Sequence, residues 1–276
     1  MTTIDIRNAA NASVGKMELP IQFQEPVRPD LIKRAVESIW GNTRQPYGAY
    51  ARAGKQAAAK LSRRRRDYKT SYGIGISRVP RKIMSHRGTR FNWVGAFAPG
   101  TVGGRRAHPP TAEKQWEKKI NVKERRKAIC AALAATVQKD LVAGRGHKLP
   151  AHYPIILDSS VEQISKTKDV QALLEKLGLQ EELARISKVK IRAGRGKMRG
   201  RRYRIKRGPL FVVAKNCPLT KSARNILGIE VSIVDRVNAE LLAPGANAGR
   251  LTLYTKGAIE RLATEKLFTA AHISKK

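Results

Sequence analysis

Apolar residues in this chain recur with two periods, one helical and one extended. "TIDIR" alternates apolar and polar at Ile4 and Ile6, and a turn is expected near Asn11–Gly15, so the N-terminal segment reads as a short strand and hairpin. "RPDLIKRAVESIWGN" puts Leu31, Ile32, Ala35, Val36 and Ile39 on one helical face, with Asp30 as the expected N-cap and Gly41 as the expected stop. Periodicity then lapses. It resumes in "NVKERRKAICAALAATVQKDLVAGRG", where Asn121 is the expected cap and Glu124 follows it as in a capping box. Ile129, Leu133, Val137 and Leu141 recur at spacing four, predicting one helix that Gly144 closes. Ala131, Ala132, Ala134 and Ala135 would let a neighbour pack closely on it.

The second half alternates strands with helices. "HYPIILD", "GPLFVVAK", "IEVSIVD" and "GRLTLYT" are short apolar runs expected as strands. "TKDVQALLEKLGL" is amphipathic through Val170, Leu173, Leu174 and Leu177 and ends at Gly178, and "EELARIS" adds a turn or two. "LTKSARNILG" and "KGAIERLATEKL" complete the helices. Near-continuous apolar strands separated by helices predict a three-layer α/β domain with a mainly parallel central sheet. A single domain is expected over 1–276, carrying an insertion at 43–112 between two helices. "FNWVGAFAPGTVGGRRAHPP" lies in that insertion and shows no helical or strand period. So long a stretch without periodic structure exceeds ordinary loops. It is expected to be an extended, non-globular loop, and disordered when it has nothing to bind.

Charge sharpens this picture. The 276 residues carry a formal net charge of +35. Residues 43–112 hold sixteen Lys/Arg against one acid, Asp67, and Arg192–Arg207 hold nine against none. Scattered lysines suit a solvated surface, but "LSRRRRDYK" sets adjacent arginines against one another unless a polyanion answers them. Nucleic acid is the expected polyanion. An anionic membrane surface fits less well, because no basic amphipathic helix stands out, and no apolar run approaches the eighteen or so residues of a span. The first residues lack the pattern of a signal peptide. Cys130 and Cys217 form neither a metal pattern nor a disulfide framework. A cytoplasmic location is expected.

The sequence carries no recognisable catalytic motif. No predicted strand leads into G-x-G-x-x-G. "YGIGIS" lacks the third glycine, and in "GAFAPGTV" Thr101 stands where a phosphate-binding loop needs lysine. His86, His108, His147, His152 and His272 show no metal-ligand spacing. No enzyme activity, cofactor or metal is expected.

RNA contact is the better reading. The 43–112 segment interleaves cations with Tyr47, Tyr50, Tyr68, Tyr72, Phe91, Trp93 and Phe97. Arginine forks pair phosphates and aromatic faces stack on unpaired bases. The expected RNA-binding cations before the middle of the segment are Arg44, Arg52, Lys55, Arg63, Arg64, Arg65 and Arg66, with Tyr47, Tyr68 and Tyr72 beside them. Further on they are Arg78, Arg81, Lys82, His86, Arg87, Arg90, Arg105, Arg106 and His108, with Trp93. Glycines would let backbone approach RNA, and the prolines at 80, 99, 109 and 110 would stiffen an extended path.

"RQPYGAYARAGKQ", "YGIGISRVPR", "GRRAHPPTAEK", "KERRKAICAALAAT", "RAGRGKMRGRR" and "LAPGANAGRLTLYTKGA", in this order, resemble the L-four family of large-subunit ribosomal proteins in its archaeal and eukaryotic branch. The resemblance spans most of the chain. It implies a globular α/β domain on the outer face of the large subunit and a long loop that penetrates ribosomal RNA, its tip helping to line the peptide exit tunnel. It makes 43–112 that loop, with the tip between Tyr68 and Arg90 and with Ile76, Ser77, Arg78, Arg81, Met84, His86 and Arg87 as tunnel-facing candidates. It makes "RAGRGKMRGRR" a second RNA-contacting loop over 192–207, with Arg192, Arg195, Lys197, Arg199, Arg201 and Arg202 facing phosphate. Implied partners are large-subunit ribosomal RNA, neighbouring ribosomal proteins and the nascent peptide; no membrane and no homo-oligomer are expected. Two other classes remain open at this point. An RNA-modifying enzyme with a basic arm is disfavoured by the missing cofactor loop. A general nucleic-acid compaction protein would bind duplex DNA equally well.

Overall fold

The computed structural model describes residues 3–269. The alternating start builds the expected hairpin: β1 (Thr3–Arg7) pairs antiparallel with β2 (Ser13–Glu18), with Ile4 opposite Met17. Helix α1 (Pro29–Asn42) starts earlier and ends later than expected. Proline at the first helical position has its φ already set, so Arg28 is the N-cap. Asp30 sits in the first turn and pairs with Arg28 at 2.7 Å. Gly41 lies inside the helix, and Thr43 caps its end by donating its amide to the Ile39 carbonyl at 3.0 Å.

The helix expected to run to Gly144 is two helices, α2 (Val122–Val137) and α3 (Lys139–Gly144), with Gln138 extended between them at ψ 110. The Tyr153 hydroxyl donates to the Thr136 carbonyl, the acceptor that residue 140 would need to carry the helix on. Leu141 is therefore exposed, and Val142 enters the core in its place. Residues 128–136 of α2 are all buried, which the four alanines permit. Asn121 is the N-cap as expected, but its side chain makes no capping bond.

The remaining elements include one helix, Ala239–Leu242, and one small hairpin that were not expected, and the others appear in the expected order. They are β5 (Ile156–Leu157), α4 (Thr167–Lys176), α5 (Gln180–Ser187), β8 (Leu210–Val213), α6 (Leu219–Arg224), β9 (Glu230–Ile233), α7 (Ala239–Leu242), β10 (Thr252–Thr255) and α8 (Lys256–Thr264), with a small hairpin, β6 (Lys190–Ile191) and β7 (Tyr203–Arg204), before β8. Six strands form one sheet in the order β2-β1-β5-β10-β8-β9, parallel throughout except for β1 with β2. Its two faces feed two cores. Leu210 and Val212 pack with Ile4, Ile32 and Leu133 from the side of α1, α2 and α8, while Phe211 and Val213 pack with Leu174, Ile186 and Leu219 from the side of α4 to α6. Strands apolar on both faces are what a sheet covered on both sides requires.

Residues up to Thr43 and from Glu117 on make one compact unit, and Arg44–Trp116 make another. The second unit is not devoid of regular structure, which corrects the expectation. It contains an antiparallel hairpin, β3 (Arg81–Arg87) with β4 (Arg90–Gly95), in which His86 faces Phe91 and Ile83 faces Trp93. Phe91 and Trp93 are half-buried while Asn92 and Val94 are exposed. The period of two exists, but apolar Val94 on the open face conceals it in the sequence. Elsewhere the limbs of this unit run close together. The Ala49 amide donates to the Pro110 carbonyl at 2.9 Å, and a Cβ on Gly54, whose φ is +70, would sit 2.4 Å from the Arg105 nitrogen. That glycine serves the approach of the chain to itself.

Candidate nucleic-acid interface

In the Arg44–Trp116 unit, no lysine or arginine forms an ion pair among the described residues, whereas the other unit pairs Arg34 with Glu124, Lys118 with Glu37 and Arg261 with Asp235. Arg63 to Arg66, Arg44, Arg52, Lys55, Arg78, Arg87, Arg90 and Arg106 are exposed, as are Tyr47, Tyr68, His86 and His108. Arg81, Lys82, Tyr72, Trp93 and Arg105 are half-buried. Among the tunnel-facing candidates, Ser77 and Met84 are exposed and Ile76 is half-buried.

Several aromatics expected to stack on bases already have partners inside the unit. Tyr72 receives Arg78 at 4.5 Å and Arg65 at 5.5 Å. Phe91 stacks on Trp93 at 5.0 Å and meets Tyr68 edge-on at 5.4 Å, and Arg81 lies over Trp93 at 5.7 Å. Trp116 holds Arg44 at 3.9 Å and Tyr47 at 5.6 Å. Cation–π contacts of this kind hold the arginines against the aromatic rings. Tyr68, Ile74, Ile76, Phe91 and Trp93 also line a hollow of about 280 Å³.

The second basic segment is a loop carried on a short β-ribbon, with residues 192–202 joining its two strands. Lys190 stands opposite Arg204 and Ile191 opposite Tyr203. A short 3-10 turn, Arg195–Arg199, closes it, ending at Gly200 in the left-handed region at φ +79. Arg192 turns back onto the ribbon, donating to the Arg201 carbonyl at 3.2 Å and the Tyr203 carbonyl at 3.4 Å. Arg195, Lys197, Arg199, Arg201 and Arg202 are exposed and lack ion pairs among the described residues. Arg207 is taken by Glu230.

A buried network anchors the root of this ribbon. Glu182, fully buried, accepts from Arg185 at 2.6 Å, from the Lys148 amide at 3.0 Å and from His147 Nδ1 at 2.7 Å. An ionised carboxylate only accepts, so His147 carries its proton on Nδ1. Burial alone would raise the Glu182 pKa, but the bonds from Arg185, His147 and Lys148 outweigh it and hold it near 2. Burial lowers that of His147, with Glu182 partly offsetting the effect. Arg185 also donates to the Arg207 carbonyl at 2.7 Å, which ties the network to the ribbon.

Beside that root lies a cleft of about 690 Å³ that includes Trp40, Arg145, Lys188, Lys190, Arg204 and Lys206. The sequence reading did not single out Trp40, Arg145, Lys188 or Lys190. The alternation of cation and aliphatic in "KVKIR" was the available signal. Among the described residues no three His, Cys, Asp or Glu side chains gather as a metal site, and no helix is long and apolar enough to cross a membrane. His272 lies outside the described residues.

Residues 17–265 match the model of the Ribosomal protein L4/L1 family. The chain belongs to this family. The chain is similar to the large ribosomal subunit protein uL4 of Nanoarchaeum equitans, 50% identical over 96% of this chain and 99% of that one. It is 42% identical to uL4 of Methanococcoides burtonii, over 95% of this chain and 98% of that one. It is 40% identical to uL4 of Halobacterium salinarum, over 94% and 98%. The family is a structural, non-enzymatic component of the ribosome, which agrees with the lack of a catalytic motif in the sequence.

Proposed function

We propose that this protein is built into the large ribosomal subunit by binding ribosomal RNA through two basic segments, and that the first helps form the wall of the peptide exit tunnel. The observation that carries the reading is the set of exposed cations in Arg44–Trp116 and Arg195–Arg202, none answered by a carboxylate among the described residues. Cations left unpaired by the protein gain most from phosphate, because binding releases the counterions condensed on the RNA. The first segment is an insertion in one α/β domain, running as an extended arm among RNA helices and reaching the tunnel between Tyr68 and Arg90. Neighbouring large-subunit proteins and the nascent peptide are its other partners. The protein acts as a single copy in cytoplasmic ribosomes.

The test compares the purified chain on structured large-subunit RNA and on duplex DNA at matched salt. Preference for the RNA is expected, as is co-sedimentation with large subunits after a high-salt wash. Equal binding to both nucleic acids would favour a general compaction protein and overturn the reading.

A further inference from the structure

The cleft at the root of the ribbon has chemistry that the exposed tip lacks. Residues directly opposed in a β-ribbon share a face, so Lys190 and Arg204 form one row of cations. Lys188 and Lys206 line the same cleft and extend that row. Trp40, from the last turn of α1, lines the cleft as well. It is 44% exposed, and its indole N–H donates to Glu240 Oε1 at 2.9 Å. Arginine covers the rings of Trp93 and Trp116, but among the described residues no ring or cation lies on that of Trp40.

Positive charge in this cleft is poorly answered. Glu240 is the only acid among the lining residues, and it is engaged with Trp40. The Arg145 guanidinium donates to the carbonyls of Pro244 and Asn247 and has no carboxylate partner among the described residues. Burial, with Arg250 and Arg185 nearby, lowers its pKa to about 10. A row of cations, an arginine that meets only carbonyls among the described residues and a part-exposed indole match a phosphate and the flat ring next to it.

We propose that the cleft binds one unpaired RNA nucleotide, its base on the face of Trp40 and its phosphates on Lys188, Lys190, Arg204 and Arg145. This rests on the reading of the protein as RNA-binding and adds a site for a flipped base at the root of the ribbon. An acidic peptide would satisfy the cations, but it would leave the indole face without a planar partner.

The probe is a single-stranded adenylate hexamer titrated into the full-length protein, with tryptophan emission and affinity as readouts. Quenching is expected in the wild type and should be smaller in Trp40→Phe, which keeps Trp93 and Trp116. Trp40→Ala should weaken the hexamer about 5- to 150-fold, the range for one lost base stack. Lys190→Gln with Arg204→Gln should flatten the salt slope by roughly 1.4, at about 0.7 per phosphate contact on single strands. That double variant keeps Trp40 and decides the matter if Trp40→Ala misfolds. Wild-type affinity and slope in the double variant would overturn the proposal, as would a glutamate hexapeptide binding as tightly as the RNA. A wild type that ignores large-subunit RNA altogether would instead sink the proposed function. Cleft variants that bind normally, while Arg195, Arg201 and Arg202 changed to Ala weaken binding, would sink the cleft alone.

Discussion

Glu182 shows how one residue can hold a functional element from behind. Its carboxylate is buried, yet it is ionised because three donors converge on it, and one of them, Arg185, reaches on to the ribbon at Arg207. Removing one partner of a buried ionic group strands the others without compensation. Glu182→Gln should therefore lower unfolding stability by about 3 kcal/mol, read from denaturant melts. The pH dependence has a definite sign. A carboxyl held near 2 when folded, against 4.5 ordinarily, contributes stability above 4.5 that is lost as pH falls toward 2. His147 adds to the acid loss, because it is buried with a lowered pKa while the unfolded chain takes up a proton below 6.5. Melting temperature should fall through both windows in the wild type. It should fall less between 4.5 and 2 in Glu182→Gln. A parallel decline in the two proteins would refute the assignment to Glu182.

At the scale of elements, the ribbon divides labour among its arginines. Arg192 bonds to the backbone of the opposite strand and belongs to the ribbon's own structure. Arg195, Arg201 and Arg202 are free to meet phosphate. Changing these three to Ala together should reduce the salt slope of ribosomal RNA binding by roughly two to three, with little effect on melting temperature. Arg192→Ala should do the reverse, loosening the ribbon and raising exchange of the amide at position 192, which donates to the Arg202 carbonyl at 2.8 Å. A triple variant with an unchanged slope would show that the tip does not touch RNA.

At the scale of the whole molecule, the chain leaves α1 and returns to α2 at a pinned point. The Asn42 side chain accepts from the Lys118 amide at 3.1 Å, Ser38 donates to the Lys118 carbonyl at 2.5 Å, and Lys118 pairs with Glu37 at 3.4 Å. All of these contacts lie outside Arg44–Trp116. A short Gly/Ser linker from Thr43 to Glu117 should therefore preserve a cooperative melt, since a shorter loop costs less entropy to close. Subunits assembled with that protein should keep the RNA footprint of the ribbon and lose protection at the tunnel wall. Failure to fold would sink the insertion reading, and an unchanged tunnel footprint would sink the tunnel role.

The sequence alone determined the layers of the fold and the location of its charge. Runs such as "LFVV" and "TLYT" are apolar on both faces of a strand, so they demand cover on both sides, and helical periods supplied that cover. Motifs such as "RAGRGKMRGRR" carry the resemblance to the family in the sequence itself. What tertiary structure decided were the contacts between distant residues. Gln138 breaks a helix because Tyr153 takes the Thr136 carbonyl, and no local period can announce a hydroxyl arriving from a later segment. The β3–β4 hairpin stayed hidden because Val94 put an apolar residue on its open face. The cleft at Trp40 draws on the ends of α1 and α3 and on both strands of the ribbon. Periodicity reports only how a residue relates to its near neighbours along the chain, whereas a binding cleft is made by residues that folding brings together from far apart.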